Sequence, residues 1–218
     1  MVRILNLIFG LFLFALGIVI TIKANVGYAP WDVFHVGLAI TTGLSIGVAG
    51  IVTGAVIVII TIALGEKLGL GTFANMIMIG LFIDLIMWPD IIPTSNNFWV
   101  GIAMMLFGII LISVGSYFYI KTAFGTGPRD SLMIAINRRT KMPVGVCRGL
   151  VELMATVGGW FLGGMVGVGT VIFVIGIGFC IQVVFAIFKF DAKSVKHETL
   201  NETYKSFKKK FNKKTSDS

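Results

Sequence analysis

Six long apolar runs divide this chain, at about 4–22, 45–64, 69–88, 99–120, 143–162 and 167–188. Each approaches the ~20 residues that a helix needs to cross the hydrocarbon of a bilayer. Two shorter apolar stretches, 33–40 and 131–136, cannot cross; they predict one or two helical turns, interfacial or re-entrant. The pattern therefore predicts an all-α polytopic membrane protein with six transmembrane helices and two short ones. Counting the short stretches as crossings gives the rival reading of eight spans.

The runs repeat. At an offset of 98 residues, Lys23-Ala-Asn-Val-Gly-Tyr-Ala-Pro-Trp-Asp32 aligns with Lys121-Thr-Ala-Phe-Gly-Thr-Gly-Pro-Arg-Asp130, keeping the Lys, the first Gly, the Pro and the Asp. Gly10 aligns with Gly108, Gly17 with Gly115, Gly47 with Gly145, Gly71 with Gly169 and Gly80 with Gly178. Internal duplication takes precedence over any other reading. It predicts one membrane repeat over 1–98, a second over 99–188 and a basic tail over 189–218, and the loop 88–97, with Pro89 and Pro93, divides the halves. Three spans per repeat would set the second copy upside down; four per repeat would make the halves parallel.

Loop charge favours three. With the tail in the cytoplasm, Arg3, Lys67, Lys121, Arg129, Arg138, Arg139 and Lys141 fall inside, and the outer loops hold only Lys23, as the positive-inside rule expects. Both termini are then cytoplasmic, in a plasma membrane. The first run, preceded by Arg3, also fits a signal peptide, but it is longer than a typical h-region and its counterpart lies mid-chain.

Composition agrees: 56% of residues are hydrophobic, 13% are charged, and mean hydropathy is +0.95. Nine of the 18 Lys and Arg lie in 189–218, so the net charge of +8 is largely a property of the tail. There Val195, Leu200, Tyr204, Phe207 and Phe211 recur at helical spacing among lysines, as in a segment lying on anionic inner-leaflet lipids; a solvated tail that only fixes topology fits equally. Cys147 and Cys180 sit in apolar runs and read as packing residues. No Ser-His-Asp set, HExxH, Walker loop or Rossmann fingerprint is present, so no enzyme, cofactor, metal or nucleic-acid partner is expected.

The candidate chemistry lies in the two motifs. Glycines permit an irregular backbone, Pro suits the first turn of a helix, and Asp complements a helix N-terminus. Breaks at equivalent places in two repeats point to a transporter's substrate site; a capped surface loop is the plainer alternative. Lys23, Tyr28, Trp31 and Asp32, with Lys121, Arg129 and Asp130, are the candidate binding or gating groups. Arg148 and Glu152 are four residues apart on one helical face, and ionisable groups inside a span usually face a cavity or the bundle interior; a structural ion pair is the alternative. Asp84 reads as interfacial, and His35 alone is weak evidence. Gly43, Gly47, Gly50 and Gly54, and Gly158, Gly159, Gly163 and Gly164, suit close helix packing or a homodimer face.

With its Gly-x-x-Pro-x-Asp motifs at Gly27–Asp32 and Gly125–Asp130, the chain over about 4–188 resembles the bacterial YczE/YyaS-like membrane proteins, and more distantly the YitT group. The resemblance implies a bacterial plasma-membrane protein and brings no biochemical activity with it. The residues themselves suggest a small secondary transporter of an anionic or zwitterionic solute, set in the bilayer as a homodimer. The rival classes are a non-transporting accessory or scaffold protein and the substrate-binding subunit of a multi-component importer, which would not be expected to show an inverted duplication. An intramembrane enzyme is disfavoured, because no nucleophile and base stand at catalytic spacing.

Overall fold

A computed structural model describes residues 2–66, 68–191 and 195. The tail expected to bind anionic lipid lies almost entirely outside the described residues. Among them the chain is all-helical: α1 (Val2–Lys23), α2 (Pro30–Thr42), α3 (Ile46–Ala63), α4 (Leu70–Met87), α5 (Phe98–Lys121), α6 (Pro128–Thr140), α7 (Val144–Phe161) and α8 (Val168–Ile187). All but α2 and α6 are long and apolar enough to cross a membrane. At 1.5 Å per residue these six are about 27–36 Å long, whereas α2 and α6 reach only about 20 Å.

The helix ends follow from local chemistry. Ser45 accepts from the Val48 amide at the start of α3, and Asn97 accepts from the Trp99 and Val100 amides at the start of α5. Pro30 and Pro128 begin α2 and α6, where a missing amide hydrogen costs nothing. These two helices are longer than the stretches 33–40 and 131–136 that hydropathy marks. Their first turns, Pro-Trp-Asp and Pro-Arg-Asp, and the polar end of α6 are helical without being apolar.

α1 and α5, which correspond under the 98-residue offset, pack against each other antiparallel. A Cβ on Gly10 would stand 2.9 Å from the Gly115 carbonyl oxygen, and one on Gly17 would stand 2.7 Å from that of Gly108. Two glycine pairs thus let the backbones touch, a device suited to a medium where helices gain nothing from leaving water.

The short helices then cross to the other half. α2 packs on α7, where Gly159, and Gly164 just past the helix end, leave no room for a side chain against Val33, and α6 packs on α3, with Arg138 Nη1 3.0 Å from Oε1 of Glu66 just past the end of α3. Within the first half, α3 meets α4 through Gly47 and Gly80, and Asp84 accepts from Ser45 Oγ at 2.6 Å and from the Gly47 amide at 2.8 Å. Asp84, read as interfacial, is therefore a clasp between two helices.

The α1–α5 contact makes a direct prediction. Gly17→Ala overpacks the crossing and should cost about 1–3 kcal/mol, whereas Gly149→Ala, with nothing within 4 Å of its Cβ position, should stay neutral or gain about 0.5–1 kcal/mol of helix propensity. Unfolding of the purified variants in detergent checks both.

Candidate solute site

The linkers that lead into α2 and α6 have matching backbones. Asn25 and Ala123 adopt φ of 55° and 60°, and Gly27 and Gly125 adopt 112° and 135°. Gly27 is required twice over, because its φ favours glycine and a Cβ would stand 2.6 Å from the Gly167 nitrogen. Each linker is fastened to the opposite half by one equivalent hydrogen bond. The Gly169 amide donates to the Val26 carbonyl at 2.7 Å, and the Gly71 amide donates to the Phe124 carbonyl at 2.7 Å. Thr72 Oγ1 adds a bond to the Thr126 carbonyl at 2.6 Å.

So held, the first turns of α2 and α6 open onto one cavity of about 350 Å³, lined by Trp31, Asp32, Arg129 and Asp130 from the motifs and by Arg148 and Glu152 from α7. The Arg129 guanidinium lies 4.9 Å from the centre of the Trp31 ring, a cation–π contact between the halves. It also lies in the fields of Asp32, Asp130 and Glu152. Asp32, 2% exposed, stands 3.7 Å from His35 Nδ1. Arg148 Nε is 2.8 Å from Glu152 Oε1, with the two side chains 48% and 24% exposed. Phe14, Ile57, Ile79, Ile83, Ile112 and Phe173 make much of the remaining wall. Three carboxylates and two guanidiniums above an apolar floor can hold a small solute that carries both signs of charge.

Six of the nine candidate residues therefore meet: Trp31, Asp32, Arg129, Asp130, Arg148 and Glu152. Three do not. Lys23 Nζ pairs with Asp90 Oδ1 at 2.5 Å, Lys121 Nζ donates to Tyr117 Oη at 3.0 Å, and Tyr28 packs its ring on the apolar core while its amide donates to the Met165 carbonyl. Each lysine ends a long helix, where a cation complements the exposed carbonyls. The cavity also takes in residues that the sequence did not single out, among them Thr53, Asn75, Ser116 and Tyr119. Asn75 and Tyr119 carried a signal, as hydrogen-bonding groups deep within apolar runs. Among the described residues, no group of three His, Cys, Asp or Glu is arranged to hold a metal.

Among the described residues, eight helices, six of them long and apolar, enclose a charged cavity and define a multi-pass helical membrane protein. The chain belongs to the YczE/YyaS-like proteins and to the family of unknown function DUF6198, whose model matches residues 1–186. An uncharacterized Haemophilus influenzae protein is 32% identical over 176 residues, covering 81% of this chain and 80% of the relative. The Bacillus subtilis membrane protein YczE is 35% identical over 165 residues, 75% of this chain and 76% of its own, and YyaS of the same organism is 28% identical over 168 residues, 75% and 82%. No solved structure matches the chain.

The contact between halves through Arg129 is open to measurement. In a double-mutant cycle of Asp32→Asn and Arg129→Met, the second substitution should cost less in the presence of the first, with a coupling of about 0.5–3 kcal/mol. Strict additivity in detergent unfolding would show that the two charges do not interact.

Proposed function

We propose that this protein is a small secondary transporter in the plasma membrane, built from two inverted three-helix repeats, with both termini in the cytoplasm. The observation that carries the reading is the convergence of both repeated motifs on one charged cavity. Broken helices that meet at the interface of duplicated halves are where such transporters hold substrate. The antiparallel contact of α1 with its own counterpart α5 supports inversion, since equivalent helices of parallel repeats would run the same way.

The charge balance narrows the solute. Asp32, Asp130 and Glu152 outnumber Arg129 and Arg148, which favours the zwitterionic over the anionic option. A solute with one ammonium or guanidinium group and one acidic group would place its cation on the carboxylates and its anion on the guanidiniums. Trp31 and Arg129 contribute from opposite halves, so a rocking motion of one half against the other would make and break the site. Glu152, within its helix and 2.8 Å from Arg148 one turn away, is the group best placed to exchange partners with the solute.

Purified protein in proteoliposomes, screened for counterflow of zwitterionic solutes such as amino acids and betaines, tests this directly. At least one should be exchanged, and Glu152→Gln or Asp130→Asn should weaken its apparent affinity by about tenfold or more, the scale of losing a hydrogen bond to a charged group. Unchanged exchange of every solute by both variants would remove the site.

A further inference from the structure

We propose that the cavity is entered sideways, between α7 and α8, by an amphipathic zwitterion whose head engages Arg148, Glu152 and Tyr119 and whose apolar tail lies along α8. This rests on the solute-site reading and names the class of solute.

The two halves differ at this seam. In the first half, the face of α3 that carries Gly47, Ile51 and Gly54 is sealed by α4, and Gly50 beside it faces His35 of α2. A Cβ on Gly80 would stand 2.5 Å from Ile51 Cγ1, one on Gly54 would stand 2.6 Å from Met76 Cγ, and the Asp84 clasp closes the end. The corresponding face of α7 carries Gly145, Arg148, Gly149 and Glu152, and α8 does not seal it. Among the described residues, nothing lies within 4 Å of the Cβ positions of Gly145, Gly149 or Gly178. Gln182 and Pro143 stand where the clasp has Asp84 and Ser45, so no equivalent carboxylate can draw these helices together.

The open seam leads into the cavity, which Arg148 and Glu152 line from α7 and Phe173, Ile177 and Phe185 line from α8. The requirements of its two walls conflict. A half-exposed ion pair one to two turns inside a span is costly against hydrocarbon, while the α8 wall is apolar. An amphipathic molecule with a zwitterionic head meets both needs at once, and neither a water column nor a lipid tail alone does so.

A third group points to the head. Tyr119, 4% exposed, lines the same cavity, and among the described residues its buried hydroxyl has no hydrogen-bond partner that meets distance and angle criteria. A buried hydroxyl left unpaired is destabilising. A polar head seated beside Asp130 and Arg129 would supply the missing partner.

Spin labels at Gly145→Cys, Gly178→Cys and Val174→Cys, in a background with Cys147 and Cys180 replaced by alanine, test the seam, because the two glycine positions have room and Val174 is exposed. In lipid nanodiscs, oxygen dissolved in the bilayer should relax all three labels several-fold more than a water-soluble nickel chelate. Dodecylphosphocholine below its micellar concentration should immobilise them, glycerophosphocholine should not, and Glu152→Gln or Arg148→Met should raise the required concentration about tenfold. Equal relaxation by the nickel chelate would mean an aqueous opening, and spin–spin coupling between copies would mean that a second protomer covers the seam; either result overturns the proposal. Equal immobilisation by glycerophosphocholine would remove the tail and the sideways route while leaving the solute site intact. No immobilisation by either compound would overturn the class of solute named here, and the counterflow screen would then stand or fall independently.

Discussion

Backbone that leaves its helix inside a membrane protein has little water to turn to, so its polar groups must be satisfied by the protein itself. Here each half satisfies the other. Val26 accepts from Gly169, Phe124 accepts from Gly71, and the two bonds are the same bond under the 98-residue offset. Because the linker of each half is fastened to the opposite half, the short helix that follows must also pack there, α2 on α7 and α6 on α3. The cavity is a result of that exchange. Two helix starts, each with a proline and an aspartate, are carried to one place from two halves.

On this shared backbone the halves have diverged in what they do. The first has glycines where the second has Arg148 and Glu152, and it has the Asp84 clasp where the second has Gln182. The consequence is one sealed seam and one open seam. It also gives a site with an aromatic ring from one side and a cation from the other, joined at Trp31 and Arg129. Duplication supplied the frame, and substitution at a few equivalent positions made the two halves chemically different.

Much of this was legible in the chain. Long apolar runs fix the spans because the bilayer fixes their length, and all six fall within a residue or two of the observed helices. The repeat was legible because glycines and prolines needed for close approach and helix starts recur in register. The short helices were under-read, since hydropathy cannot see a helical turn made of Pro-Trp-Asp. Lys23 and Lys121 recur as the ends of long helices and lie outside the cavity lining, and recurrence alone does not distinguish structure from function. The gap between α7 and α8 and the Tyr119 hydroxyl that lacks a partner among the described residues were out of reach, because each depends on what a neighbouring helix does or does not cover.

Inversion of the halves is the claim on which the transport reading stands. Thr42 and Thr140 are equivalent, both end a short helix, and both are exposed. Single cysteines placed there, in the background lacking Cys147 and Cys180, should react with a membrane-impermeant maleimide from opposite faces of the cell membrane, position 42 from outside and position 140 only after the cytoplasmic face is opened. Reaction of both from the same face would mean parallel halves, and the alternating site between them would be contradicted.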